Sequence, residues 1–308
     1  MLAQELLKLI GKIPDDKNSF KHRMRVHQGW WRAFVLAEPP GKNPADAEND
    51  VCNTILNGST TKKNFLTSNA LKAYELSLQE RNEKSPGMMN EDRVWNNLLS
   101  SQPLCFNFFG ELKTDLAFAS EVLRAWIPSL QEVTDVRFEY APDGRYTDDN
   151  SAFDIAFFYR TTKGKRGVFG LECKYTDDFS KKEYSKDSYR VIFNKASKNF
   201  CKPYEDYIAS DYNQLFRNQL IAETMLQNNL VDEVITGLHF NHLDENAEAI
   251  GKAFRNMLVN GSDRFILISQ RDFITSLQKM DLAWERREWV MMLWARYCAV
   301  NLSENVRP

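Results

Sequence analysis

Two neighbouring apolar runs constrain this chain more than anything else in its 308 residues, because each carries charge where a strand core should be apolar. The first is Ala152-Phe153-Asp154-Ile155-Ala156-Phe157-Phe158-Tyr159. The second follows a basic, glycine-containing turn and reads Val168-Phe169-Gly170-Leu171-Glu172-Cys173-Lys174-Tyr175. Short apolar runs bounded by turn residues read as buried strands. Side chains alternate along a strand, so Glu172 and Lys174 project from one face. Asp154 joins them if the register of the hairpin allows. Charge inside a buried strand is costly and usually functional. The competing reading is an ion pair between Glu172 and Lys174 on an exposed edge strand.

The surrounding pattern supplies a frame for these strands. Leu112, Leu116, Ala119, Val122, Leu123 and Trp126 fall at helical spacing over 111–126, and Pro128 marks the end. A strand over 133–140 precedes the two charged strands. After a polar, lysine-rich stretch come a helix over 211–229, a strand over 234–240, a helix over 245–259, a strand over 265–269 and a closing helix over 281–300. This order predicts an α/β fold of the α+β, mixed-sheet kind. Its first three strands form an antiparallel meander, its later strands arrive by helical crossovers, and helices cover both faces. Residues 1–105 read as a mainly helical elaboration packed on a core over 106–308. The elaboration holds short helices over 1–13, 67–82 and 91–100, a break at Ser85-Pro86-Gly87 and a loop at 38–44. Trp30 and Trp31, in a basic and aromatic segment over 20–37, read as core anchors.

Charge and cysteine usage narrow the function classes. A net charge of −2 means that attraction to nucleic acid must come from local patches. Arg160 to Lys202 is such a patch, with twelve Lys or Arg against five Asp or Glu. Tyr175, Tyr184, Tyr189 and Phe193 are interleaved in it, a composition suited to tracking a phosphate backbone. The five cysteines are scattered and include no CxxC pair, which predicts reduced thiols and a cytoplasmic location. No run approaches the length of a membrane span. His239 and His242 have no Cys or carboxylate at metal-ligand spacing, and no Walker-type loop, GxGxxG or nucleophile elbow is present.

Phe153-Asp154 on one strand and Glu172-Cys173-Lys174 on the next resemble the signature of the PD-(D/E)XK nuclease superfamily. The helix–strand–strand–strand–helix–strand order over about 110–240 matches its restriction-endonuclease-like αβββαβ core. The chain also resembles a group of bacterial restriction-endonuclease-type proteins. That likeness lies in Gln102-Pro103-Leu104-Cys105-Phe106-Asn107, Phe138-Glu139-Tyr140-Ala141-Pro142, Glu172-Cys173-Lys174-Tyr175 and the segment His27 to Leu36. Phe153 stands where the motif name has proline, a position that varies widely in the superfamily.

The resemblance implies a metal-dependent nuclease, with DNA as the first substrate and restriction or anti-phage defence as the setting. Asp154, Glu172 and the backbone carbonyl of Cys173 would hold Mg²⁺, with Mn²⁺ as a substitute. Lys174 would orient or deprotonate the attacking water. A further carboxylate is expected from Glu121, with Glu111 and Glu139 as rivals. Gln214 and Arg217, on one face of the following helix with Asn218, are candidates for the scissile phosphate. Lys181, Lys182 and Arg190 are candidates for the nucleic-acid backbone. An RNA substrate, a non-cleaving binding module on the same fold, a homodimer and an unknown partner protein remain open.

Overall fold

The computed structural model describes residues 3–44, 46–81, 89–144, 146–180, 182–209 and 211–306, so the break at 85–87 and Lys181 lie outside the described residues. Helices α1 (Ala3–Ile10) and α2 (Ser19–Trp30) come first, and Asn18 caps α2 by accepting the Lys21 N–H. A π-helical turn over Trp31–Val35 carries Trp31 and Arg32 into the interior. The strands β1 (Pro40–Asn43) and β2 (Asp46–Ile55) then pair antiparallel. The loop expected at 38–44 is therefore corrected to a hairpin. Its strands are polar and lack the period-two pattern that would have marked them, and proline is tolerated because the pair has only edges. Gly41 permits the approach, since a Cβ there would lie 2.5 Å from the Ile55 carbonyl oxygen. Helices α3 (Gly58–Thr61), α4 (Ser68–Glu80) and α5 (Glu91–Asn96) complete this region.

Two helices, α6 (Ser101–Thr114) and α7 (Leu116–Leu123), replace the single helix predicted over 111–126. Asp115 divides them: its backbone is extended and its carboxylate caps α7 by accepting the Phe118 N–H. The boundary expected at 105/106 falls inside α6. The chain continues through β3 (Leu130–Tyr140), β4 (Phe153–Thr161) and β5 (Arg166–Cys173). The lysine-rich stretch holds α8 (Asp187–Lys195) and α9 (Tyr204–Ile208), neither of which its polar pattern announces. Then follow α10 (Asn213–Gln227), β6 (Glu233–Phe240), α11 (Glu245–Asn256), α12 (Gly261–Arg264), β7 (Phe265–Ser269), α13 (Gln270–Gln278) and α14 (Trp284–Tyr297). The five strands β3 to β7 lie side by side in sequence order. The first two pairings are antiparallel and the last two parallel, which is the mixed sheet the pattern predicts. None of the described helices is long and apolar enough to cross a membrane.

Helices cover both faces. On one, Ile155, Phe157, Phe169 and Leu171 join Phe108, Phe109, Phe273 and Trp289 in a large apolar cluster. On the other, Phe153, Ala156 and Val168 meet Ile221, Ala222 and Met225 of α10. Burial of this kind stabilises by roughly 25 cal/mol per Å² of apolar surface.

A polar network crosses the first face and ties the N-terminal region to the C-terminal helix. Arg296 of α14 is fully buried. Its guanidinium donates to Gln28 Oε1, to the Asn64 carbonyl and to Asn64 Oδ1. Gln28 in turn donates to the hydroxyl of Tyr175, the last residue of the second charged run, at 2.8 Å. All of these acceptors of Arg296 are neutral, so the geometry of each bond matters. We expect Asn64→Ala to lower stability by about 2 kcal/mol, the worth of a hydrogen bond to a buried charge. Urea unfolding checks this, and an unchanged midpoint would show that the network does not hold these helices together.

Candidate active site

Glu172 is the last residue but one of β5 and Lys174 follows the strand, at the C-terminal end of the middle strand of the sheet. Glu172 is 3 % and Lys174 6 % exposed, so an ion pair on a solvated edge strand is excluded. The Lys174 N–H donates to the His239 carbonyl at 2.7 Å, extending the parallel pairing with β6 one residue beyond the strand. Across the hairpin, Ile155 pairs with Leu171, so the next step sets Asp154 opposite Glu172. The ladder gives way there. Asp154 reaches across with its carboxylate, and Oδ2 accepts the Cys173 N–H at 2.6 Å. Phe153, at the position of the motif's proline, covers Gly170; a Cβ on Gly170 would come within 2.5 Å of its ring.

A third carboxylate enters from β3. Phe138 pairs with Ile155 and Tyr140 with Phe153, which sets Glu139 beside Asp154. Glu139 adopts φ +50°, a left-handed conformation that costs a non-glycine residue about 1 kcal/mol or more and collects at functional sites. Glu139, Asp154 and Glu172 line one cleft of about 350 Å³ with Gln214, Arg217 and Asn218. The expectation of Glu121 is thereby corrected. On α7 the buried face carries Phe118, Ala119, Val122 and Leu123, while Glu121 faces solvent. Glu111 is also outside the cleft: its oxygens accept from Thr67 Oγ1 at 2.7 Å and Asn69 Nδ2 at 2.9 Å.

Helix α10 presents its polar face to these groups. The Gln214 amide bridges the central pair, with Oε1 accepting from Lys174 Nζ at 2.7 Å and Nε2 donating to Glu172 Oε1 at 2.5 Å. Asn218 Nδ2 donates to Glu172 Oε2 at 2.9 Å, and Lys174 Nζ lies 3.3 Å from Glu172 Oε1. Gln214 therefore positions the lysine and the carboxylate, rather than holding its amide free for phosphate. Arg217 donates to Ser151 Oγ at 3.0 Å, and its buried Nε has no hydrogen-bond partner among the described residues.

The electrostatics suit a cation. Burial, and then the negative charges of Glu172 and Glu139, push the Asp154 carboxyl well above the usual carboxylate range; the Cys173 N–H and Lys174 only partly oppose this. Among the described residues no group of three or more His, Cys, Asp or Glu could by itself hold a metal ion. Two carboxylates, one carbonyl and waters still fit Mg²⁺, which binds through few protein oxygens and keeps much of its hydration. The Cys173 carbonyl is oriented for this, since an extended residue's C=O points to the same side as its N–H, here toward Asp154. The Cys173 thiol faces the core, 3.6 Å from Cys105 Sγ, and burial raises its pKa. His239 takes no part either. It packs against Phe108, Phe109 and Phe273, and burial lowers its pKa to about 3, so it is neutral.

The basic stretch does not stay together in space. Arg160, Lys163, Lys165 and Arg166 lie at the far end of the β4–β5 hairpin, about 20 Å from Glu172 at ~3.4 Å per residue. Arg166 is paired with Asp232 at 2.8 Å. Arg190 on α8 is paired with Glu205 at 3.0 Å and stacks over Tyr204, while Lys182 is exposed. Asn218, Asn150 and Ser151 are the polar cleft residues absent from the sequence-based candidates. Asn218 was marked by its position one turn after Gln214; the other two lie on a loop with no pattern to reveal them.

A family model described as the PD-(D/E)XK nuclease superfamily matches residues 14–299. No curated protein and no solved structure matches the chain.

The raised Asp154 carboxyl has a sign that can be measured. A folded-state pKa above the unfolded value makes stability fall as pH rises from the ordinary carboxylate range toward the raised value. Asp154→Asn removes the opposed charge and keeps an acceptor for the Cys173 N–H. In EDTA the variant should melt higher than wild type and lack that slope; Mg²⁺ should raise only the wild-type Tm. A lower-melting variant would contradict the crowding of negative charge at this position.

Proposed function

The chain belongs to the PD-(D/E)XK nuclease superfamily, and we propose that it is a Mg²⁺-dependent endonuclease that hydrolyses phosphodiester bonds in DNA at the cleft lined by Asp154 and Glu172, with Lys174 beside it. The observation that carries this reading is the Gln214 amide locked between Lys174 and Glu172, both buried at the end of the middle strand. A cation bound by Asp154, Glu172 and the Cys173 carbonyl supplies charge neutralisation at the phosphate and a more acidic water.

The side chains account for the remaining tasks. The Lys174 ammonium has three N–H donors, and Gln214 fixes one of them. The others are available to orient the attacking water and to stabilise negative charge developing on phosphoryl oxygens. Glu172 keeps Lys174 close, and Asn218 keeps Glu172 from rotating away. Arg217, which lines the cleft, is its cation suited to a phosphate oxygen. Lys182 and the remaining exposed lysines of the 182–202 stretch contribute long-range attraction for the DNA backbone. Action as a homodimer, a cytoplasmic location and a role in restriction or anti-phage defence extend the same proposal. Dimerisation would let two such sites cut two strands.

The decisive experiment incubates the purified protein with supercoiled plasmid, single-stranded DNA and RNA in Mg²⁺, Mn²⁺ or EDTA, beside Lys174→Ala. We expect DNA cleavage in either metal and none in EDTA. In Lys174→Ala the rate should fall about 10²–10⁴-fold, the usual worth of a positioned acid–base group, with binding retained. Equal rates in the variant would overturn the site assignment. Cleavage of RNA alone would replace the substrate, and binding without cleavage of any substrate would favour a non-cleaving module.

A further inference from the structure

A second groove of about 570 Å³ opens beside the catalytic cleft, lined by Asp148, Asp149, Asn150, Tyr184, Lys186 and Arg217. Asn150 and Arg217 line both spaces, so the two adjoin. Tyr184 is the unusual member. It is 40 % exposed, although the segment is anchored at Tyr184 itself and at the two residues that follow. The Tyr184 carbonyl accepts from Asn213 Nδ2 at 2.9 Å, Ser185 Oγ meets the Tyr204 hydroxyl at 3.1 Å, and Lys186 Nζ donates to the Asp148 carbonyl. The Arg217 guanidinium lies 4.9 Å from the centre of the Tyr184 ring. An aromatic ring is thus held at the surface next to a cation that lines the catalytic cleft, with no apolar core to explain its placement.

The charges of the groove define what fits it. Asp149 is part of the wall: burial pushes its carboxyl up, but bonds from Tyr189, Ser151 and Thr147 outweigh this and hold it below the usual range. Asp148 faces solvent, with its side chain 85 % exposed and 3.5 Å from Lys186. Two carboxylates repel a run of phosphates, so the groove does not carry backbone alone. A ring face for stacking, the Asn150 amide, a carboxylate acceptor for an exocyclic amine and one cation at each side suit a nucleobase with its phosphate.

Resting on the nuclease reading above, we infer that the Tyr184 groove is a subsite for one unstacked base next to the scissile phosphate. The preferred substrate is therefore single-stranded DNA, or duplex opened at the cut. A base within an intact duplex has both faces covered by its neighbours and offers none to Tyr184.

The test measures binding by fluorescence anisotropy in EDTA, which separates it from cleavage, using a single-stranded oligonucleotide and the blunt duplex of the same sequence. Wild type should prefer the single strand. Tyr184→Ala should weaken that binding about 5- to 150-fold, the stacking worth of one base, while Tyr184→Phe retains it and the melting temperature of both variants is unchanged. An abasic position walked along the oligonucleotide should cost wild type a comparable factor at one position and cost Tyr184→Ala nothing further there. Unaltered binding and cleavage of single strands by Tyr184→Ala would overturn the subsite and leave the nuclease reading standing. Failure of the wild type to bind or cut any nucleic acid would overturn both.

Discussion

A carboxylate withdrawn from water at the end of the middle strand is the constraint on which the rest of this structure depends. Glu172 is buried, and an ionised group in that position must be hydrogen-bonded or paired. Gln214, Asn218 and Lys174 meet the requirement, and two of these three come from α10. The register of α10 against the sheet is set in consequence. Ile221, Ala222 and Met225 must sit on Phe153, Ala156 and Val168 while Gln214 and Asn218 reach the strand end. Polar and apolar faces of one helix thereby fix the same docking.

The cost of that arrangement falls on Asp154 and Glu139. Three acidic residues stand at adjoining positions of three strands, and burial raises the Asp154 carboxyl well above its usual range. Glu139 holds a left-handed backbone within a strand, where neither helix nor sheet geometry asks for it. A fold selected for stability alone would replace such groups with apolar ones. Their presence together is what a cation-binding cleft requires, and the stability lost there is available to be recovered on binding.

Support for this strained edge comes from the opposite side of the molecule. Tyr175 follows the Glu172–Lys174 segment directly and accepts a hydrogen bond from Gln28, which shares Arg296 with Asn64. Gln270 Nε2 reaches the Lys174 carbonyl at 3.5 Å, and Asn241 joins Gln270 to the Tyr297 carbonyl. The N-terminal segment from His27 to Phe34 is thus explained as structure. His27 bonds Ser303 and the Ala295 carbonyl, Trp31 is core, and Arg32 caps carbonyls of Leu9, Ile10 and Cys52. Gln28 is the member of this segment that reaches the residues after β5, and none of the segment lines the cleft.

From its residues alone this chain determines the strand pair, the αβββαβ order and the identity of the central acidic and basic groups. Period-two alternation and burial are local properties, and charge inside an apolar run is visible without coordinates. Only the tertiary structure decides which carboxylate completes the row. Glu121 and Glu139 carry the same functional group, and they are told apart by an α7 face turned to solvent and a β3 register that ends beside Asp154. It also scatters a basic stretch that is continuous in sequence, because β4 and β5 run antiparallel and carry Arg160 and Arg166 to the end away from Glu172. Proximity across a sheet is set by register and strand direction, and neither is a property of any one segment.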